Sequence, residues 1–465
     1  MKALLIRFGQ FSIGSLGAAL LNLILIPITT YFLTPAEYGK TGMFLLAQTM
    51  LIYCIYLGFD QAFTREFHDY PNKKSLFKQA MLIPFSFALI LILILAGFAP
   101  MFSSLLFADQ NYVGIIYLLA LSIVLLIFER FILLFIRMEN RAFSFSFSNI
   151  LVKLTILIGA LAALLFSSKT FSSVVYGMLI GQMAGDFLLI IIHRRLFQGE
   201  SANLNKMLIK KLARFGFPVA VGTVFYSMLI VMDKLFLRYM ADFSELGIYT
   251  AAFKVASALM VLQISFANFW IPTAYEWNKQ AKPLIYYEKV SQMIMFVIAL
   301  FFLLMLFMKE QIIWILSPAY MEAQYIFPLL CFYPLMMTVS ETTNLGIVFS
   351  RKSVLNIYVS IIAMLAALAL NLTLIPLYGA KGAAVATGSG YVIFFLCKNI
   401  FLNAGLGRIF GKTSCFHHDA AFHFEPIKCF FTARIVGKSV DTCRYSFAFL
   451  DVPNGIKTNV CFHAA

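Results

Sequence analysis

Charge is scarce in this chain. Only 12% of its 465 residues are Asp, Glu, Lys or Arg, against 61% that are hydrophobic, and no soluble globule has enough interior to hide so large an apolar excess. Catalytic signatures are missing as well. There is no Walker loop, no dinucleotide fingerprint, no His-Glu-x-x-His and no nucleophile elbow, so an enzyme is not indicated and no cofactor is expected. Nor is there a disulfide scaffold: Cys54, Cys331 and Cys397 lie in or beside apolar segments, where a small, weakly polar group packs well.

What the chain has instead is apolar length. Segments near 8–32, 41–59, 80–105, 113–136, 147–167, 172–192, 214–237, 247–272, 290–308, 325–349, 354–375 and 380–402 can each cross a hydrocarbon layer about 30 Å thick at about 1.5 Å per residue. The expected fold is therefore an all-α polytopic membrane protein of about 12 transmembrane helices. Lys2 and Arg7 precede the first run as in a signal peptide. That run outlasts the roughly 7–15 residues of a cleavable core and no small-x-small site closes it, so it reads as a retained anchor.

The net charge of +15 invites a nucleic-acid partner, but placement argues against one. Alternate loops carry Lys2 and Arg7; Arg65, Lys73, Lys74 and Lys78; Arg137 and Arg141; Arg194 and Arg195 with Lys206, Lys210, Lys211 and Arg214; Lys279, Lys282 and Lys289; Arg351 and Lys352; and Lys398, Arg408 and Lys412. The loops between them hold only Lys40, Lys169, Arg238, Lys309 and Lys381. The positive-inside rule then puts both termini in the cytoplasm, with contact to anionic membrane lipids as a secondary role for the basic loops.

The longest polar stretch between spans runs from Arg194 to Arg214. It divides the chain into an N-terminal six-helix bundle (1–193), a cytoplasmic linker (194–213) and a C-terminal six-helix bundle (214–402). Arg137-Met-Glu-Asn-Arg141 precedes the fifth span as Ser350-Arg351-Lys352-Ser353 precedes the eleventh, which suggests a parallel repeat of the kind that rocks around a midplane site. After about Gly411 the composition changes abruptly. Cys415, Cys429, Cys443 and Cys461 fall there with His417, His418, His423 and His463, in spacings that match no metal-ligand pattern. The segment 403–465 reads as a disordered or aberrant tail, and no metal is expected.

An ionisable group inside a bilayer costs about 2.5–3.5 kcal/mol, so each needs a partner, a water-filled cavity or an escape to the interface. Arg130 and Lys254 lie deepest among the cations, and a cation at that depth facing the bundle interior attracts an anion. The competing reading for Arg130 is a structural ion pair with Glu129 or Asp186. Lys153 and Lys234 are shallower and can snorkel. Glu341 can exchange a proton or an ion, or simply hydrogen-bond a neighbouring helix. Gln182 and Gln263 read as cavity lining or interhelical glue, and Gly177-x3-Gly181-x3-Gly185 reads as a packing face.

Several stretches resemble the Wzx-type polysaccharide flippases of the multidrug/oligosaccharidyl-lipid/polysaccharide (MOP) exporter superfamily. They are Leu25-Ile-Pro-Ile-Thr-Thr-Tyr-Phe-Leu-Thr-Pro-Ala-Glu-Tyr-Gly39, Leu57-Gly-Phe-Asp-Gln-Ala-Phe-Thr-Arg65, Met232-Asp-Lys-Leu-Phe-Leu237 with Glu245-Leu-Gly-Ile-Tyr249, and Asn371-Leu-Thr-Leu-Ile-Pro-Leu-Tyr-Gly-Ala-Lys-Gly-Ala-Ala384. The resemblance implies two MATE-like six-helix bundles in a bacterial inner membrane, around a cationic cavity. It implies a cargo of undecaprenyl-pyrophosphate-linked oligosaccharide for O-antigen or capsule, passed on to a polymerase and chain-length machinery. A pyrophosphate cannot cross hydrocarbon bare, so Lys254 and Arg130, then Lys153, Lys234 and Arg65, are the candidate ligands for it. Asp233 and Glu341 are the candidates for coupling to an ion gradient, and Asp60 with Arg65 forms a candidate structural pair or gate. The rival readings are a multidrug antiporter of the same superfamily and a polytopic O-antigen polymerase.

Overall fold

The computed structural model describes residues 2–198, 205–349 and 354–410, and every regular element among them is helical. The first half holds α1 (Lys2–Phe32), α2 (Pro35–Ile55), α3 (Phe59–Glu66), α4 (Lys73–Gly97), α5 (Ala99–Phe107), α6 (Val113–Met138), α7 (Ala142–Phe166) and α8 (Phe171–Ile192). The second holds α9 (Lys206–Met240), α10 (Phe243–Ser257), α11 (Met260–Lys279), α12 (Leu284–Phe307), α13 (Lys309–Ile313), α14 (Ala323–Leu330), α15 (Phe332–Phe349) and α16 (Val354–Phe410). Of the expected linker, 206–213 already belongs to α9, because the Asn205 side chain caps that helix by accepting from Leu208 N–H at 3.1 Å. Residues 199–204 and the cysteine- and histidine-bearing tail beyond 410 lie outside the described residues.

Among the described residues, eight helices are long and apolar enough to cross a membrane, or ten if the bent pairs α2–α3 and the two parts of α9 each count as a span. The apolar run Leu16–Phe32 of α1 adds a candidate. So does α16: its candidate stretch Leu355–Phe401 is 47 residues long, about 70 Å of helix, enough to cross twice. It breaks at Gly379, with φ 54° and ψ −130°. The sum is consistent with twelve crossings.

Side-chain caps begin the spans. Thr34 precedes Pro35 at the start of α2, Asn72 accepts from Ser75 N–H at 3.0 Å to open α4, and Asp242 accepts from Glu245 N–H at 2.8 Å to open α10. Within the first half, Phe63 of α3 packs against Phe67, Phe77 of α4, and Phe131 and Phe135 of α6. The glycine run on α8 is a packing face as expected, since a Cβ at Gly177, Gly181 or Gly185 would run into α7 around Thr155 and Gly159.

Two sets of contacts gather the loops at opposite ends. At one, Glu37 accepts from Phe171 N–H at 2.5 Å, Glu245 accepts from Ala380 N–H at 2.7 Å, and Tyr320 Oη donates to Leu33 O at 2.8 Å. At the other, Lys211 of α9 pairs with Glu66 of α3, and Lys74 donates to the carbonyls of Arg195 (2.9 Å) and Gln198 (3.3 Å). The cation-poor and cation-rich loops are thus sorted onto different ends. The Lys211 side chain is 62% exposed, and Arg65 stands 4.0 Å from the same carboxyl group, so the buried Glu66 keeps a cation when Lys211 is removed. Lys211→Ala is expected to cost less than about 1 kcal/mol, visible as a small change in thermal unfolding in detergent.

α2 and α3 meet at a 49° bend. Leu57 (φ 48°) and Gly58 (φ 74°) make the corner, and a Cβ at Gly58 would meet the backbone of Gly216 on α9. Only glycine combines that backbone angle with so close an approach.

Candidate functional site

Two polar clusters lie inside the apolar body, one in each half. In the first, Arg130 of α6 donates from Nη2 (2.7 Å) and Nε (3.2 Å) to Oδ2 of Asp60 on α3, and its guanidinium lies over the Tyr56 ring at 5.6 Å. Asp60 therefore pairs with Arg130 and not with Arg65, correcting the expected gate. Five residues along one helix put Asp60 and Arg65 on different faces, and Arg65 instead stacks on Phe215 of α9 at 4.5 Å. Arg130 also pairs with neither Glu129 nor Asp186. Those two carboxylates share the amide of Gln182, which donates to Glu129 Oε2 at 3.0 Å and Asp186 Oδ1 at 2.9 Å. Asp186 is fully buried, and Lys153 of α7 acts on it electrostatically. Of the cations here Arg130 has a carboxylate within 4.0 Å, and Lys153 acts on Asp186 at longer range.

The second cluster is built differently. On α9, Asp233 and Lys234 are neighbours about 100° apart around the helix, so one reaches inward and the other aside. The buried Asp233 accepts from Tyr249 of α10 in a short hydrogen bond and from Thr387 of α16 at 2.8 Å. Lys234 lies over the Phe253 ring at 4.6 Å. Lys254 lies over the ring of Tyr38, on α2 of the other half, at 5.2 Å, and acts on Lys234 through space. Among the described residues neither ammonium has a carboxylate within 4.0 Å. Asp233, next along α9, acts on Lys234 ahead of Lys254, so Lys254, over the Tyr38 ring and without an acidic partner within 4.0 Å among the described residues, is the cation that an anion would complete.

Sequence reasoning missed two residues here. Lys398 was counted among the loop cations, but α16 runs on past it. The side chain is only 6% exposed, its Nζ lies 3.5 Å from Asn344 Oδ1, and Glu341 acts on it electrostatically. The signal was available: Asn-Ile-Phe-Leu after Lys398 prolongs the apolar run. Glu341 itself accepts from Gln263 of α11 at 2.5 Å, the interhelical bond that was its plainer reading. The other missed residue is Asn371, fully buried with neither amide atom partnered among the described residues. Counted from the break at Gly379 it stands as many residues before as Thr387 stands after, which puts it near the depth of Asp233 if the chain turns back there. No group of three or more His, Cys, Asp or Glu is disposed to hold a metal among the described residues.

Such a fold, many long apolar helices with charged residues set between two halves, is that of an all-α polytopic membrane protein. Residues 8–277 match the model of the family described as "Polysaccharide biosynthesis protein", and the chain belongs to that family. No curated protein matches it significantly. Among solved structures it resembles the lipid II flippase MurJ in its inward closed conformation, with a TM-score of 0.68 at 15% identity over 84% of this chain and 87% of that one. It also resembles an inward-facing multidrug-resistance MATE family transporter of the MOP superfamily, with TM-score 0.61, 13% identity and coverage of 85% and 96%. A third is a MOP superfamily transporter from Pyrococcus furiosus described by the reverse polarity of its binding pocket, with TM-score 0.54, 12% identity and coverage of 86% and 96%. The fold is thus that of the MOP exporters.

Proposed function

We propose that the protein is a flippase that carries undecaprenyl-pyrophosphate-linked oligosaccharide repeat units across the bacterial inner membrane for O-antigen or capsule synthesis. The observation that supports this reading is Lys254, a cation with no acidic partner within 4.0 Å among the described residues, over Tyr38 of the other half and within electrostatic reach of Lys234. A pyrophosphate supplies the missing negative charge, and two cations beside it replace the hydration it loses. Arg130, bound to Asp60, and Lys153, near Asp186, stand behind this pair as cations available only on exchange of partners; Arg65 lies at the end of the path. Two six-helix bundles, 1–193 and 214–402, alternate access around the pair, with both termini cytoplasmic. The unit delivered outside goes to a polysaccharide polymerase and its chain-length machinery.

Asp233 is the proposed coupling carboxylate. It sits one residue from Lys234 and joins three helices through Tyr249 and Thr387. Asp233→Asn keeps an acceptor for both hydroxyls and removes the charge. Export is expected to fall about tenfold or more, equivalent to about 1.4 kcal/mol, and to lose its response to the transmembrane ion gradient in vesicles. Retention of that response would remove Asp233 from coupling and leave Glu341 as the candidate.

The function itself is tested in a deletion strain. Complete lipid-linked repeat units are expected to accumulate on the cytoplasmic leaflet. Single unpolymerised units on the outer leaflet would identify a polymerase instead, and normal polysaccharide with altered drug sensitivity a multidrug antiporter.

A further inference from the structure

The second polar feature of the first half lies away from the two clusters. A cleft of about 580 Å³ opens at the cation-rich end, between the start of α4, the end of α6, the Arg141 turn before α7, and the turn that follows α8. Lys73, Lys74, Arg141 and Arg195 line it, against one carboxylate, Glu139, which is already engaged by Arg141 at 3.4 Å. The walls are tied in place. Lys74 holds the turn at Arg195 and Gln198 through two carbonyls, and Ser148 of α7 meets His193 at the end of α8 at 3.1 Å. The charge is therefore gathered in a formed recess instead of being spread along a loop. Apolar surface adjoins it: Phe143, two residues after Arg141, is 75% exposed, and Phe147 one turn further is 50% exposed.

We infer that this cleft binds the headgroup of an anionic glycerophospholipid of the inner leaflet, with its phosphate among Lys73, Arg195 and Arg141 and its acyl chains along Phe143 and Phe147. Clustered cations at a helix-end recess attract such headgroups, each adding attraction near the surface, while exposed rings at the first turn of α7 favour chains over water. Assignment to the inner leaflet rests on the orientation proposed above. The lipid would brace α4, α7 and the α8 turn as one unit, a steady half against which the other can move.

The test uses the full chain in nanodiscs of phosphatidylcholine with and without phosphatidylglycerol, with bound lipid read by native mass spectrometry. Lys73→Gln/Arg195→Gln is expected to lower phosphatidylglycerol affinity roughly 30-fold, about a factor of five per cation. Lys282→Gln/Lys289→Gln, among the same basic loops but outside the cleft, is expected to leave it unchanged. Undiminished retention in the cleft variant, or equal loss in the control, overturns the site. If inorganic phosphate stabilises delipidated protein against heat as well as phosphatidylglycerol does, the recess takes a free anion and the lipid is overturned. A cysteine at Gln198 separates the leaflet from the site. Labelling by an impermeant maleimide only after cells are opened supports the inner leaflet, whereas labelling from outside overturns that assignment and the orientation with it, whatever the retention data show.

Discussion

Replacing Lys254 by Gln is expected to lower export of the lipid-linked glycan by roughly 10- to 100-fold, the loss of about 1.5–3 kcal/mol that a charged hydrogen bond contributes, while membrane insertion and thermal stability remain at the parent level. The separation of the two readouts follows from the site. Lys254 has no carboxylate partner among the described residues, so removing its charge leaves no buried anion exposed; it also relieves the repulsion with Lys234. A structural cation would behave in the opposite way. Arg130→Gln shows the contrast, because it strips Asp60, itself only 6% exposed, of its ion pair and is expected to cost about 1–3 kcal/mol of stability together with activity. The pairing predicts its own rescue: adding Asp60→Asn to Arg130→Gln should restore most of the stability. Full export by Lys254→Gln, measured by surface polysaccharide in a complemented deletion strain, would sink the proposal that the lysine pair receives the pyrophosphate. A matched loss of export and melting temperature would mark Lys254 as structural.

How much of this was legible in the sequence depends on which physical quantity sets each feature. Span positions follow from local hydropathy, and the described helices are consistent with them. Depth along a helix was legible too, since a fixed rise per residue locates Lys254 and Glu341 without tertiary information. The direction of a side chain was not. Arg130 falls within its span by residue count, but its side chain is 45% exposed and its partner, Asp60, lies 70 positions away on a short helix whose existence depends on the bend at Leu57 and Gly58. The rigid-helix picture has no such bend. Lys398 failed for a related reason: a cation near the estimated end of a span looks like a loop residue unless the helix is known to continue. The fully buried Asp186 is accommodated by Gln182, a residue that from sequence alone could be either lining or glue.

The internal repeat was visible in a place other than the one that drew attention. Pro35-Ala-Glu-Tyr-Gly39 opens α2, and Phe243-Ser-Glu-Leu-Gly247 opens α10. Each glutamate accepts from a backbone N–H at the corresponding later turn of its own half, Glu37 from Phe171 and Glu245 from Ala380. The two glycines face each other across the halves. A Cβ on Gly39 would collide with the Phe243 carbonyl and one on Gly247 with the Pro35 carbonyl, so α2 and α10 approach along bare backbone at the cation-poor end, the same way small residues let membrane helices meet. Under the proposed orientation, this crossing is the outer seal. Gly247→Leu is expected to keep the seal from closing and to lower export by about tenfold or more, since at least 1.4 kcal/mol is lost from a state the cycle must visit. The direct readout is a cysteine at Thr250, 2% exposed beneath the crossing and beside Gly42, in a background with its native cysteines replaced. An impermeant maleimide applied from outside should react slowly in the parent and quickly once Gly247 is Leu. Gly39→Leu should reproduce the effect from the other half, because the contact is reciprocal. Slow labelling with normal export in both variants would mean that the two backbones can separate without consequence, and that the outer closure lies elsewhere.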